Sequence, residues 1–318
     1  MLESEFSERF GLSIPSLIRS GLAKYYGDLL LIQQEVIQQE GGTSRLSTGL
    51  CQPYWCRDRM DKPLLIKFDS VKDASDALRS LQRSWAPYSY TLFRRTSLIQ
   101  DKLPRVNLKE KAFPFSIPSS PIGLYTLTGE NQMIASASTS SPLPAGQIQF
   151  KEDHDNPPSR AYLKIQEALC VAASSFSVSL PGPGSRCFDA GACPGGWTWV
   201  LTQLGSDVFA VDRSTLDQSL MDNPHVQFMK HDAFTLPPQE LGAFDWVFSD
   251  VICYPERLLD WIEKWLASGL TKNMICTIKM QGAVDWALVS RFDSIPQSRV
   301  LHLNYNKHEL TFISCGRG

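Results

Sequence analysis

The sequence predicts an α/β protein: a doubly wound, mostly parallel sheet closed by an antiparallel last strand, preceded by a smaller N-terminal α/β module. Three observations carry that prediction. Residues 187–212 read as a strand, a glycine turn, a helix and a second strand ending in an acid. From Ser159 onward, strand-like and helix-like segments alternate, as they do when crossover helices join parallel strands. The last two strand-like runs are separated only by a turn around Asn306 and Lys307, which forces an antiparallel hairpin.

Each element follows from local pattern. Residues 10–40 carry helical spacing of apolar side chains at Leu17, Ile18, Leu22, Tyr25, Leu29 and Leu30. Residues 63–68 read as a strand, 70–82 as a helix capped by Ser70 or Asp73, and 88–93 as another strand, so that 1–105 form a small α/β module. Residues 106–158, dense in Pro and Ser (Pro114, Pro118, Pro121, Pro142, Pro144, Pro157, Pro158), read as a partly packed connecting segment. Residues 159–318 then give helix 159–176, strand 186–190, helix 196–204, strands 208–212, 226–230 and 244–250, helix 256–267, strand 273–279, helix 283–291 and strands 298–305 and 309–315.

Composition bounds the function. A chain of 318 residues with 43% hydrophobic content is long enough for two packed domains. Its apolar runs are broken by charge well short of the roughly 18–20 residues that span a bilayer, and the acidic start Met1-Leu2-Glu3-Ser4-Glu5 lacks a signal-peptide n-region, so a cytoplasmic protein is expected. The eight cysteines are scattered, Cys51 and Cys56 find no second pair to make a zinc pattern, and no metal is expected. A net charge of −2 means that a nucleic-acid partner would have to be met by a local patch.

The most informative stretch is the glycine turn. Residues 187–190 form a short buried strand, and Gly191, Gly195 and Gly196 then let a ligand approach the backbone without meeting a Cβ. Asp212 ends the next strand 21 residues after Gly191, where doubly wound sheets place an acid that bonds a ribose diol. Pro194 stands where a dinucleotide pyrophosphate would need a backbone donor, which disfavours NAD or FAD, and no Gly-Lys-Ser or Gly-Lys-Thr follows to make a P-loop. A nucleoside cofactor without phosphates fits better.

Charged residues end the neighbouring strands. Asp250 follows the buried run 244–249 at the carboxyl edge, where ligands of open sheets sit. Ser249-Asp250-Val251-Ile252 lacks the Asn/Asp-Pro-Pro-aromatic pattern of amine methylation. Lys279 ends the next strand at the same edge, and Lys164 and Glu309 complete a candidate Lys/Asp/Lys/Glu cluster. Two adjacent ammonium groups are expected to lower each other's pKa, leaving one lysine neutral enough to take a proton from a hydroxyl.

Residues 158–164 (Pro-Ser-Arg-Ala-Tyr-Leu-Lys), the loop Gly191-Ala192-Cys193-Pro194-Gly195-Gly196-Trp197-Thr198, Ser219-Leu220-Met221-Asp222, Ser249-Asp250, Ile278-Lys279 and Glu309-Leu310-Thr311 together resemble the FtsJ/RrmJ-type ribose 2′-O-methyltransferases. The resemblance covers residues 158–318 and is nearest to members that modify a cytidine of large-subunit ribosomal RNA. It implies a Rossmann-like methyltransferase fold and S-adenosyl-L-methionine as cofactor. Cofactor contacts would come from Ser159, Gly191, Cys193, Pro194, Gly195, Gly196, Trp197, Asp212, Asp232 (near the adenine) and Asp250. It also implies Lys279 as general base supported by Lys164, Asp250 and Glu309, and RNA, not DNA or a membrane, as partner. Such proteins carry an N-terminal RNA-binding module, although no motif in residues 1–105 matches one. Two other readings remain open on sequence alone: a non-catalytic RNA-binding or ribosome-assembly factor keeping this fold, and methylation of a small molecule or protein.

The one dense basic stretch, Arg94, Arg95, Lys102, Arg105, Lys109 and Lys111, suits either phosphate contacts or a solvated linker face. Nearby Trp85, Tyr88, Tyr90 and Phe93 suit either base stacking or a core.

Overall fold

The computed structural model describes residues 1–33 and 52–316. Two compact units emerge, one of residues 1–110 with 118–149 and one of residues 111–117 with 150–318.

The first unit begins with two short helices, Leu2–Phe10 and Ile14–Arg19, and a hairpin of β1 (Ala23–Tyr26) and β2 (Leu29–Ile32). The single helical stretch expected over 10–40 is thereby corrected, and its residues 34–40 lie outside the described residues, as does Cys51. The physical reason is the Gly27-Asp28 pair, which turns the chain in two residues and lets Leu30 and Ile32 pack on Phe6, Leu12 and Ile14.

A four-stranded sheet follows, in the order β3 (Leu64–Lys67), β6 (Gln132–Ser136), β5 (Gly123–Gly129), β4 (Trp85–Pro87). Its helix Val71–Leu81 starts where Ser70 accepts a hydrogen bond from the Asp73 amide at 3.1 Å, one of the two expected caps. The strand expected at 88–93 is instead Trp85–Pro87, followed by a helix over Phe93–Gln100. Trp85 decides this: its ring is fully buried and its indole N–H donates to the carbonyls of Leu78 and Gln82. The core therefore claims it, and it is not a base-stacking surface residue.

The connecting segment expected over 106–158 is likewise corrected. Its prolines flank the hairpin β5–β6, whose Leu124, Tyr125, Leu127, Met133, Ile134 and Ala135 are buried as the two inner strands of this sheet. Of the basic stretch, Arg94, Lys102, Arg105 and Lys109 lie exposed, while Arg95 donates to Asn131.

The second unit is the expected doubly wound sheet. Seven strands run in the order β12 (Ser298–Leu301), β13 (Glu309–Ser314), β11 (Thr271–Lys279), β10 (Phe244–Ser249), β7 (Arg186–Ala190), β8 (Asp207–Asp212), β9 (Val226–Lys230). All neighbours are parallel except β13, which runs antiparallel to both β11 and β12. Strand order reverses between β7 and β10, the switch point at which such sheets open a crevice beyond their carboxyl ends.

The strand expected over 298–305 stops at Leu301. Buried Glu167, on the helix Tyr162–Phe176, accepts the amides of Asn304 at 2.8 Å and Tyr305 at 2.9 Å, drawing them out of the ladder. The helix expected at 283–291 spans Trp286–Asp293, because Asp285 caps it by accepting from the Leu288 amide at 2.9 Å.

Candidate active site

Three strand ends and one helix bring the four charged residues together. Antiparallel pairing of β11 with β13 sets Lys279 opposite Glu309 in register. Ser249 pairs with Cys276 across β10 and β11, so Asp250 emerges beside Thr277, two residues before Lys279. Lys164 arrives from the first turn of the helix Tyr162–Phe176.

The result is an alternating ring of charge. Lys164 Nζ lies 2.7 Å from Asp250 Oδ2 and 3.0 Å from Glu309 Oε1, while Lys279 Nζ lies 2.5 Å from both Asp250 Oδ1 and Glu309 Oε2. Thr277 Oγ1 donates to Asp250 Oδ1 at 2.6 Å. The four side chains are only 9–18% exposed, so each ammonium needs both carboxylates to offset its loss of water.

That alternation overturns the expected lysine pKa. Burial pulls the Lys279 ammonium toward neutrality, but Asp250 and Glu309 more than offset it and hold its pKa above the ordinary 10.5. Burial pushes the Asp250 carboxyl up, and Lys279 and Lys164 together outweigh it and hold it below the ordinary 3.8. Lys279 at rest is an ammonium, because it lies 2.5 Å from a carboxylate oxygen of both Asp250 and Glu309.

Beside the ring, Gly191 turns the chain after β7 with φ +79, and a Cβ there would come within 2.1 Å of the Val251 side chain. A Cβ on Gly196 would fall 2.5 Å from Ser159 Oγ. This is a backbone cradle that side chains would fill. Ser159 Oγ, buried and without a hydrogen-bond partner among the described residues, lies against it. Asp212 accepts from the amides of Cys193 and Ser214 at 3.0 and 2.9 Å, which fixes the carboxylate and leaves lone pairs for further donors.

The other residues expected at the cofactor have partners within the fold. The Trp197 indole is buried, donates to the Ala161 carbonyl and packs edge-on to Phe248, so its side chain belongs to the core. Cys193 Sγ donates to the Thr215 carbonyl, and the Pro194 carbonyl accepts from the Asp217 amide, which ties the turn to the segment after β8. Both Asp250 oxygens accept from the lysines and Thr277, which sets that carboxylate in the charged ring. Asp232 pairs with Arg213 and, at 3.0 Å, with Arg257, and caps the Phe234 amide. The two guanidiniums hold its carboxyl below the ordinary range against the upward push of burial.

One residue was missed by the sequence reading. Asp189 sits inside buried β7 and accepts from Thr198 Oγ1 at 2.7 Å, tying the strand to the helix Gly196–Gln203 across the glycine turn. Burial pushes its carboxyl up to about 7, aided by the charges of Asp250 and Asp212 against the Thr198 hydrogen bond. An acid in the middle of an apolar strand was the signal.

Among the described residues no helix is long and apolar enough to cross a membrane, and no cluster of ligating side chains suits a metal ion.

Residues 157–284 match the FtsJ-like methyltransferase family. The chain is 35% identical over 147 residues to the ribosomal RNA large subunit methyltransferase M of Azoarcus sp., covering 46% of this chain and 38% of that protein. It is 30% identical over 218 residues to the protein of the same name from Xanthomonas oryzae pv. oryzae, covering 67% of this chain and 58% of that one. The chain thus spans less than two thirds of the length of these curated relatives. Among solved structures, magnesium protoporphyrin IX methyltransferase from Synechocystis aligns with a TM-score of 0.35 at 17% identity, covering 48% of this chain and 79% of that one. Within this chain, residues 157–284 are a domain of the FtsJ-like methyltransferase family.

Proposed function

We propose that the protein is an S-adenosyl-L-methionine-dependent RNA ribose 2′-O-methyltransferase, with ribosomal RNA as the substrate class. The observation that carries this reading is the ring of Lys164, Asp250, Lys279 and Glu309 at the carboxyl edge of the sheet, next to a glycine cradle at the switch point. Relatives named for methylation of large-subunit ribosomal RNA support the substrate class.

The cradle suits the cofactor. Gly191, Gly195 and Gly196 would leave room for its backbone approach, the unpartnered Ser159 hydroxyl would donate to its carboxylate, and Asp212 would accept from its ribose diol. When bound, adenosylmethionine supplies an electrophilic methyl group on a sulfonium.

The chain's own part is positioning and proton transfer. Lys279, after losing its proton to solvent, accepts the proton of the ribose 2′-hydroxyl at Nζ as the oxygen attacks, and the regenerated ammonium falls back between Asp250 and Glu309. Lys164 keeps those carboxylates neutralised while Lys279 is uncharged. Because its carboxylate partners hold Lys279 protonated at rest, the proton-accepting form is scarce at neutral pH.

The direct test incubates the protein with methyl-labelled adenosylmethionine and total RNA, with and without ribonuclease, alongside Lys279→Ala. Ribonuclease-sensitive label in wild type, lost in the variant and mapped by nuclease digestion to a 2′-oxygen, is the expected result. Equal label in both proteins would remove the lysine from its role.

A further inference from the structure

The register of β11 and β13 sets four polar side chains on one face of the sheet. Lys279 lies opposite Glu309, and one step farther from the edge Thr277 lies opposite Thr311, because side chains two apart on a strand share a face. The first pair belongs to the charged ring. The second is a polar floor inside the core, with Thr277 and Thr311 only 1% and 2% exposed.

A buried hydroxyl is destabilising unless it is hydrogen-bonded, and valine would fill the same space without that cost. The two threonines are satisfied differently. Thr311 Oγ1 lies 3.0 Å from Asn306 Nδ2 and 3.2 Å from its Oδ1, so its bonding closes on the buried turn before β13. Thr277 Oγ1 donates instead to Asp250 Oδ1 at 2.6 Å, its one hydrogen-bond partner among the described residues. That oxygen also accepts from Lys164 Nζ at 2.9 Å and from Lys279 Nζ at 2.5 Å. Of the side chains donating to Asp250 among the described residues, Thr277 alone carries no charge.

Lys279 is faced by Asp250 and Glu309, by Lys164 beyond those carboxylates, and by the Cys253 thiol. Once Lys279 has lost its proton, two carboxylates face a single ammonium. A hydrogen bond to Asp250 Oδ1 is then worth more than it is at rest, since the oxygen has lost a charged donor. The stiff χ1 of a β-branched side chain within a strand keeps the hydroxyl in place through that change. We propose that Thr277 is a positioning residue of the ring: its hydroxyl holds Asp250 and compensates it in part while Lys279 is uncharged, so that the proton-accepting lysine forms more readily. The assignment rests on the ribose-methylation reading, in which a neutral Lys279 takes the 2′-hydroxyl proton.

Thr277→Val removes the donor and keeps the shape, whereas Thr277→Ser keeps the donor. The test compares both with wild type in methyl transfer to RNA between pH 7 and 9. It also follows, on the free protein, acetylation of Lys279 Nζ by acetic anhydride across pH, read by mass spectrometry. Thr277→Val is expected to lower kcat about tenfold with the KM values for RNA and methyl donor unchanged. The rising pH–rate limb and the acetylation curve should both move up by about one pH unit. Thr277→Ser is expected to recover most of the rate and the wild-type acetylation curve. RNA methylation by Thr277→Val at the wild-type rate would overturn the assignment and leave the ribose reading standing. So would a loss of rate with the acetylation curve in place, or Thr277→Ser as slow as Thr277→Val. Wild type that labels no RNA would overturn the ribose reading itself, and the role of Thr277 with it.

Discussion

Two clusters of opposite charge lie past the carboxyl ends of the same sheet, and they are built differently. In the first, Lys164, Asp250, Lys279 and Glu309 alternate in a ring whose members are at most 18% exposed. In the second, Asp232 is held by Arg213 and Arg257, which are 73% and 49% exposed. The ring cannot lose a member without stranding a charge away from water, whereas the arginines can turn back to solvent at little cost. Similar charges read from sequence therefore differ in consequence, and burial makes the difference.

The comparison breaks most visibly at Lys279. Lys279→Ala is expected to lower the methyl-transfer rate by about 10²–10⁴-fold and to cost about 3 kcal/mol of stability, read by labelled transfer and by denaturant melts. A variant as active as wild type would leave the ring a structural device only.

The pH profile comes next. Since Lys279 is held protonated above 10.5, the rate should climb about tenfold per pH unit from pH 7 to 9 as the neutral form grows. The contribution of the ring to stability should stay level over that span. A raised lysine pKa contributes stability that is complete below 10.5 and lost as pH rises through the higher folded value, and a depressed Asp250 contributes stability that is complete above 3.8 and lost as pH falls through the lower one. A flat rate between pH 7 and 9 would exclude Lys279 as the proton acceptor.

The turn between the two clusters can be closed by one methyl group. Gly191→Ala puts a Cβ 2.1 Å from Val251 at a φ of +79, so calorimetric binding of adenosylmethionine should weaken by at least about tenfold. Unchanged binding would place the cofactor elsewhere.

Asp189 sharpens the contrast, being a buried carboxyl with no cation among its hydrogen-bond partners in the described residues. With its pKa raised to about 7, its contribution to stability is complete below 3.8 and lost as pH rises through 7. Asp189→Asn should therefore flatten the decline in Tm between pH 4 and 7, and an unchanged slope would mean that the acid is ionised throughout. The smallest effect is expected at the exposed pair: Arg213→Ala should change stability by about 0.2–1 kcal/mol and less in high salt, and a larger, salt-independent loss would show that Asp232 depends on it as the ring depends on its lysines.

Periodicity and punctuation were enough to read the second unit, because each strand of a parallel sheet buried on both faces is a short apolar run bounded by turns. Asp250, Lys279 and Glu309 could be named because strand ends project to one edge. The first unit was read less well. Its inner strands β5 and β6 lie inside a proline-rich stretch, and β4 is fixed by the burial of Trp85, a long-range choice that no local pattern records.

The sequence by itself determined that Asp250 and Lys279 follow the ends of β10 and β11 and where the glycine turn falls, since these depend on spacing along the chain. Only the tertiary structure decided the charge state of Lys279 and the engagement of Asp250. Each depends on how near a group lies to charges and water brought from distant positions, and electrostatic energy varies with that distance rather than with separation in sequence.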